Sequence, residues 1–258
     1  MWTLKKMNTT LVVNPKGGSG KTTVAINLAS YFAATNTATT IMDYDPQGSS
    51  LNWLALRPPH APPIRGANAT RQKGTRLRSM AMYVPPETEQ LVIDAPAAAC
   101  GVALQEMLER AKCIVIPLVA SSIDIHATAK FIHEVLLTAK MRSRNLPVAI
   151  VANKVRRSMP VYRPLESFLE SLDLELTARL IDSDVYLKAA ESGLGIFEME
   201  LSLSIAERQQ FLPLVEWVVT NSSGALGARQ AEHQLVRPRH EAGRVIELPA
   251  FREQRLVK

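Results

Sequence analysis

The sequence NPKGGSGKTT, residues 14–23, has the composition and spacing of a loop that binds phosphate groups. It fits the pattern G-x-x-x-x-G-K-[ST] at Gly20, Lys21 and Thr22, although Pro15 stands where the first glycine belongs. In such loops backbone N–H groups point at the phosphates, Lys21 contacts the β- and γ-phosphates, and Thr22 ligates Mg²⁺. The expected phosphate-binding residues are Gly17, Gly18, Ser19, Gly20, Lys21, Thr22 and Thr23.

Three aspartates that follow apolar runs complete a candidate magnesium and water site. Asp94 ends the run LVID, as does the acid that holds Mg²⁺ through water in phosphate-loop enzymes. Asp43 and Asp45 alternate along a predicted strand, so they are expected to point to the same side. Asp45 is a candidate for orienting the attacking water and Asp43 for supporting the metal. The alternative is a helix-capping or turn role ahead of Pro46.

These residues need a scaffold, and the pattern of apolar runs predicts one. A helix is expected to start at the end of the loop, and strands and helices alternate after it. Alternating strands and helices favour an α/β fold, a mostly parallel twisted sheet with helices on both faces. Ligands of such sheets bind beyond the carboxyl ends of the strands, where the loop and the three aspartates fall. The predicted strands are 10–14, 38–45, 90–96, 113–120 and 147–154, and the other predicted helices are 102–111, 124–140, 160–171, 184–192 and 204–220.

Composition sets the domain organisation and the class of protein. The chain has 258 residues, 47% of them hydrophobic, which suffices for a full core. No run of about 18 apolar residues occurs, so a membrane-spanning helix is not expected, and the N-terminus lacks the apolar segment of a secretory signal. We expect one ATPase-sized domain over 1–220, followed by a basic, flexible tail over 221–258.

The charge is unevenly distributed. The formal net charge is +6, and no acid occurs between 46 and 86 or between 140 and 164. Such basic stretches suit a polyanion such as DNA, and the alternative is a solvated basic surface. The cations of the two stretches are Arg57, Arg65, Arg71, Lys73, Arg76, Arg78, Lys140, Arg142, Arg144, Lys154, Arg156, Arg157 and Arg163.

Two cysteines, Cys100 and Cys113, lie in apolar surroundings without the spacing of a metal site. This usage is typical of reduced core thiols in a cytosolic protein.

The segments KGGSGKTT, DYDPQGS, VIDAP and IPLVASSIDIHA, taken together, resemble the ParA/MinD family of deviant Walker A ATPases from about Leu11 to Trp217. The resemblance implies ATP and Mg²⁺ as cofactors and a homodimer that forms with ATP. It also implies that Lys16 crosses the dimer interface to the nucleotide of the opposite subunit. The implied catalytic residues are Lys16, Lys21 and Asp45. Asn153 is an implied adenine contact, with a strand-end turn as the alternative, and residues 181–184 are implied to close the base pocket.

One branch of the family binds nucleoid DNA and another binds membrane through an amphipathic C-terminal helix. The final segment PAFREQRLVK has poor helical register, so membrane binding is not expected. Some chromosome-partitioning relatives carry an arginine just after the strand near 181, where this chain reads IDSDVYLK. Sequence-independent DNA binding is expected instead, and operator binding is not, because the first strand begins near residue 10. The candidate DNA contacts are Lys154, Arg156, Arg157, Arg163 and Lys188.

The segments NPKGGSGKTT, VYRPLESFLESL and AAESGLGIFE resemble those of small positioning ATPases, including the carboxysome-distributing (McdA) type. This resemblance implies a cytoplasmic, nucleoid-associated ATPase with slow hydrolysis that a cargo adaptor stimulates. Plasmid, chromosome or chemoreceptor-cluster positioning are alternatives. Two other classes remain open. An iron–sulfur ATPase of the nitrogenase iron protein type would need two cysteines per subunit at the dimer interface. A small-molecule kinase or ligase on the same fold would need a polar substrate pocket.

Overall fold

A computed structural model describes residues 7–70, 82–119, 130–135, 146–156 and 176–222, together with 167, 169, 170 and 174. Strands and helices alternate along most of this part of the chain. The strands are β1 Asn8–Val12, β2 Thr39–Asp43, β3 Ile64–Asn68, β4 Gln90–Asp94, β5 Cys113–Val119, β6 Val148–Val155 and β7 Leu176–Ile181. The helices are α1 Lys21–Ala34, α2 Ser49–Ala55, α3 Gly101–Arg110, α4 Asp184–Glu191 and α5 Leu201–Ser222, and residues 130–135 are also helical.

The described strands form one seven-stranded sheet in the order β3-β2-β4-β1-β5-β6-β7, and every pair is parallel. The carboxyl ends of the three strands β1, β2 and β4 are in register, since Asp94 pairs with both Val12 and Asp43. Strand β1 is central: β2, β3 and β4 lie on one side of it, and β5, β6 and β7 lie on the other. The order of the strands therefore changes direction at β1. This reversal of direction is where parallel sheets bind their ligands.

Both faces of the sheet are covered, because successive side chains of each strand point to opposite faces. Leu11, Leu91 and Ile93 belong to a hydrophobic cluster that includes α3 and residues 130–135. Val12 and Val92 belong to a second cluster, on the opposite face, with α1 and α5. The predicted α/β fold with helices on both faces is confirmed.

The five predicted strands are all present. Helix α1 begins at the end of the loop as predicted, and three further predicted helices are present with ends shifted by up to three residues. Strands β3 and β7 and helix α2 were not predicted from the apolar pattern. Of the predicted helix 124–140 the structure describes 130–135, and most of 160–171 lies outside the described residues. Helix α5 extends to Ser222, two residues past the predicted domain boundary, and residues 223–258 lie outside the described part, so the division into a domain and a tail stays a prediction.

None of the described helices combines the length and apolar character that crossing a membrane requires.

Candidate nucleotide and magnesium site

The glycine-rich loop connects the end of β1 to the start of α1, as the sequence predicts. Gly18 and Gly20 have φ values of 75° and 90°, in the left-handed region that favours glycine. A Cβ atom at Gly20 would lie 1.9 Å from Nδ2 of Asn153. The Ser19 hydroxyl donates to the carbonyl of Lys16 at 3.1 Å, which closes the loop on itself. The loop therefore places the N-terminus of α1 at the carboxyl edge of the sheet, where its N–H groups can bind an anion.

Lys21, the first residue of α1, is buried beside this loop. Its Nζ donates to the carbonyl of Lys16 at 3.0 Å. Burial lowers the pKa of Lys21, and the nearby carboxylates of Asp94 and Asp45 oppose that shift. The structure thus brings the lysine and two of the predicted aspartates together.

Asp94 is the electrostatically unusual residue of the site. Both of its carboxylate oxygens are buried, and neither has a hydrogen-bond partner of acceptable geometry. Burial, reinforced by the charge of Asp43, raises the pKa of Asp94 to about 7, and the hydroxyls of Thr22 and Ser50 oppose the shift. The Ser50 hydroxyl is also buried and unpartnered. Native proteins rarely leave such groups unpaired, so the arrangement calls for a positively charged occupant.

A magnesium ion fits this donor set. The carboxylate of Asp94 and the hydroxyl of Thr22 are hard oxygen ligands, which Mg²⁺ prefers. Among the described residues no group of three or more His, Cys, Asp or Glu could hold a metal ion. A site with few protein ligands still suits Mg²⁺, since this ion usually keeps several waters and binds phosphate oxygens as well.

Asp43 has surroundings opposite to those of Asp94. Its Oδ1 accepts a hydrogen bond from the Asp45 backbone N–H at 2.8 Å. Its Oδ2 accepts from the N–H groups of Ser50 and Leu51 at 3.2 and 3.3 Å. Asp43 therefore caps the N-terminus of α2, which was the alternative open at the level of sequence. A supporting role at the metal stays a prediction.

Asp45 does not lie on a strand with Asp43, so the expectation that the two share one side of a strand is wrong. Strand β2 ends at Asp43. Asp45 lies in the following turn, where its Oδ1 accepts from the Gln47 N–H at 2.9 Å and its carbonyl accepts from Gly48. The turn nevertheless brings its charge close enough to influence Lys21.

Asn153 lies in β6 and is buried. Its Nδ2 donates to the carbonyl of Ser19 at 3.0 Å, so its amide group holds the phosphate loop. The implied adenine contact stays a prediction. Within the segment implied to close the base pocket, Ser183 caps α4 by accepting from the Val185 N–H, and its hydroxyl donates to Glu207.

The candidate DNA contacts are only partly within the described residues. Lys154, Arg156 and Lys188 are exposed, whereas Arg157 and Arg163 lie outside the described part. Arg156 forms an exposed ion pair with Asp182 at 3.1 Å.

Arg57 is buried in an ion pair. The hypothesis that the cations between residues 46 and 86 form a basic surface is therefore wrong for this residue. Its side chain is 8% exposed, and its NH2 group lies 2.6 Å from Oε1 of Glu198, which is 4% exposed. The NH1 group donates to the other carboxylate oxygen at 2.9 Å. Arg57 also lies over the ring of Trp53, and the Trp53 indole donates to the carbonyl of Leu194. This pair ties α2 to the 193–198 loop.

The two cysteines have different surroundings, and the prediction that both are core thiols is wrong for Cys100. Cys113 is buried at the start of β5, and burial raises the pKa of its thiol to about 12. Cys100 is exposed just before α3.

Sequence reasoning missed Asn14, which is buried between the loop and β5. The signal was the Asn-Pro pair, since asparagine before proline is typical of a turn in which the side chain bonds the backbone.

The chain is similar in sequence and in fold to several known proteins. The chain is 24% identical over 199 residues to maintenance of carboxysome distribution protein A from Halothiobacillus neapolitanus, covering 75% of this chain and 88% of the relative. It is 30% identical over 154 residues to the protein of the same name from Gloeobacter kilaueensis, covering 60% of this chain and 68% of the relative. The solved complex of Cyanothece McdA(D38A) with ATP matches the fold with a TM-score of 0.60 at 15% identity, over 81% of this chain and 96% of that one.

The family model described as the CobQ/CobB/MinD/ParA nucleotide binding domain matches residues 10–196. This range runs from β1 through the loop, the three aspartates and Asn153 to the segment after α4. The chain therefore belongs to the CobQ/CobB/MinD/ParA family of nucleotide-binding proteins.

Proposed function

We propose that this protein is an ATPase that dimerises on binding ATP, binds DNA without sequence preference and positions an intracellular cargo. The observation that carries the proposal is the buried, unpartnered carboxylate of Asp94 beside Lys21 and Thr22. The magnesium ion of a bound triphosphate would supply the positive charge that Asp94 lacks, and the phosphates would be the counter-charge of Lys21.

Each residue has a separate task in the proposed reaction. The N–H groups of Gly17, Gly18 and Gly20 bind the phosphates at the helix N-terminus, and Lys21 neutralises their charge. Thr22 and Asp94 would hold Mg²⁺, which when bound screens the negative charge of the β- and γ-phosphates.

Asp45 is proposed to orient the water that attacks the γ-phosphorus. Its position in a turn anchored by Asp43 and near Lys21 supports this role. Attack forms the new P–O bond while the bond to the ADP oxygen breaks, so the products are ADP and inorganic phosphate.

Lys16 is proposed to act in trans, on the phosphates of the second subunit. It occupies the loop position directly after Pro15, and its backbone is held in the loop by Ser19 and Lys21. A cation supplied by the neighbour stabilises the developing charge only while two subunits are together. ATP then holds the dimer together, and hydrolysis releases it.

The proposed cargo is the carboxysome, because the two similar proteins are named for carboxysome distribution. The protein would then be cytoplasmic and associated with the nucleoid through exposed cations such as Lys154 and Lys188. An adaptor on the cargo would stimulate an otherwise slow hydrolysis.

Plasmid or chromosome partition is the second candidate. Local similarity to the chromosome-partitioning ATPase Soj of Treponema pallidum, 53% identity over 51 residues, favours it. The iron–sulfur alternative has less support, because Cys113 is buried at the amino end of β5, the edge of the sheet away from the loop.

The test is the mass of the protein in solution with and without ATP and Mg²⁺. We expect a dimer with ATP and a monomer with ADP. Lys16→Ala is expected to remain monomeric with ATP while it still binds the nucleotide through Lys21. An undiminished ATP-dependent dimer in this variant would refute the trans role.

A further inference from the structure

Asn14 connects the phosphate loop to the neighbouring strand β5. Its side chain is 1% exposed. Its Nδ2 donates to the carbonyl of Pro117 in β5 at 2.8 Å, and its Oδ1 accepts from the backbone N–H of Lys16 at 2.8 Å. One buried amide group therefore joins the centre of the sheet to the residue that we propose acts on the second subunit.

The backbone of Lys16 is consequently held from both sides. Its N–H is bound to Asn14, and its carbonyl accepts from the Ser19 hydroxyl and from Nζ of Lys21. The preceding Pro15 has a fixed φ and no N–H of its own. These constraints determine where the Lys16 side chain begins and in which direction it leaves the loop.

The other side of the loop has an additional anchor, on β6. Asn153 donates to the carbonyl of Ser19 and packs against Gly20, so it fixes the segment that leads into α1 and Lys21. The segment that carries Lys16 and the segment that carries Lys21 thus have different anchors, one on β5 and one on β6.

We propose that Asn14 is a positioning residue for Lys16: it orients the lysine toward the second subunit and contributes little to nucleotide binding within its own subunit. The inference rests on the proposed trans role of Lys16. It predicts a separation of effects, because loss of the Asn14 bonds mobilises Lys16 while the Asn153 anchor keeps Lys21 in place.

The experiment compares nucleotide affinity with ATP-dependent dimerisation and turnover in Asn14→Ala. We expect ATP affinity within about threefold of the unchanged protein and dimer-dependent kcat lower by about tenfold or more, the factor that one or two lost hydrogen bonds correspond to. Normal dimerisation and turnover would overturn the proposal. An equal loss of affinity and turnover would overturn it too, since it would indicate general damage to the loop.

Asn27→Ala is the matched control. Asn27 is also a buried asparagine with two backbone bonds, to Thr23 and Ile196, and neither involves Lys16. We expect it to lower the melting temperature without the selective loss of dimer. The same selective loss in this variant would contradict a specific role for Asn14.

Asn14→Ser keeps the test valid if Asn14→Ala does not fold. A serine hydroxyl can still accept from the N–H two residues on, but it is too short to reach Pro117. We expect the same loss of dimer, and full activity would show that the connection to β5 is unnecessary. Lys16→Ala, measured in parallel, separates the two proposals: if it dimerises normally the trans role fails, and if it alone fails to dimerise only the role of Asn14 is refuted.

Discussion

Asp43 and Asp94 pair across neighbouring strands at the edge of the sheet, and their carboxylates have opposite surroundings. Asp43 accepts three backbone N–H bonds, whereas both oxygens of Asp94 are buried without a hydrogen-bond partner. The first carboxylate is satisfied by the fold itself. The second receives no such bonds, which supports the proposal that Asp94 binds the magnesium ion.

The same isosteric change at these two aspartates should therefore have opposite effects on stability. Burial raises the pKa of Asp94 to about 7, above its value of 3.8 in the unfolded chain. The free energy of unfolding therefore falls as the pH rises between these two values, and the loss is complete above about pH 7, where Asp94 is ionised in the folded protein. At pH 8 and without nucleotide, we expect Asp94→Asn to increase the free energy of unfolding by about 1–3 kcal/mol. Asp43→Asn should decrease it by a similar amount, because the amide N–H₂ would face backbone donors. Urea unfolding of both variants measures the two changes.

Magnesium dependence gives a second measurement on Asp94→Asn. Mg²⁺ with ATP should raise the melting temperature of the unchanged protein, since a ligand that binds only the folded state stabilises it. The increase should be much smaller in the variant. A decrease in the stability of the nucleotide-free variant, with an unchanged response to Mg²⁺ and ATP, would contradict the assignment.

The central part of the fold was predictable because of where its strands lie. Strands β1, β2, β4, β5 and β6 are covered on both faces and have neighbours on both sides, so they are short apolar runs. The two strands that the apolar pattern did not predict, β3 and β7, are the edges of the described sheet. Edge strands tolerate polar residues: β3 reads IRGAN, with Arg65 and Gly66 exposed.

The parts of the site that depend on distant contacts were not predictable. Helix α2 has only seven residues, too few for a helical period, and it is held by Asp43 at its start and by the buried packing of Trp53. Arg57 reads as one cation of a basic stretch, because its partner Glu198 lies 141 residues further on. The phosphate loop, in contrast, is local in sequence, and its chemistry can be read from adjacent residues.

Lys21→Ala should strongly weaken ATP binding. The ammonium group is buried beside the loop and near two carboxylates, so it is placed to accept phosphate as a counter-charge. Charge-assisted hydrogen bonds contribute about 1.5–3 kcal/mol each, so we expect affinity to fall by about 100-fold or more. Titration with a fluorescent ATP analogue measures the affinity, and Lys188→Ala, at an exposed position of α4, is the control. Equal affinity in the Lys21 variant would remove this lysine from the site.

Asp45→Ala should give an ATP-bound dimer that persists. If Asp45 orients the attacking water, its loss should lower kcat by about 10²–10⁴-fold without preventing ATP binding. Asp45→Asn is the sharper variant, because its amide oxygen can still accept from the Gln47 N–H and preserve the turn. Light scattering over time after ATP addition measures the lifetime of the dimer. Normal turnover in the Asn variant would place water activation on another residue.

DNA binding should respond in opposite directions to changes at the two members of the Arg156–Asp182 pair. Both side chains are exposed, at 68% and 40%, so the pair contributes little to stability and either residue can be changed without unfolding the protein. Arg156→Ala removes a cation that is available to phosphates, whereas Asp182→Asn removes the charge that competes for it. In gel shifts with ATP, we expect the first variant to bind more weakly and the second more tightly, whatever the sequence of the DNA. The slope of log affinity against log salt should fall by about one for Arg156→Ala. Arg110→Ala, a similar surface change on α3, should leave both quantities unchanged. If the Arg110 variant loses as much affinity as the Arg156 variant, the binding face has been placed wrongly.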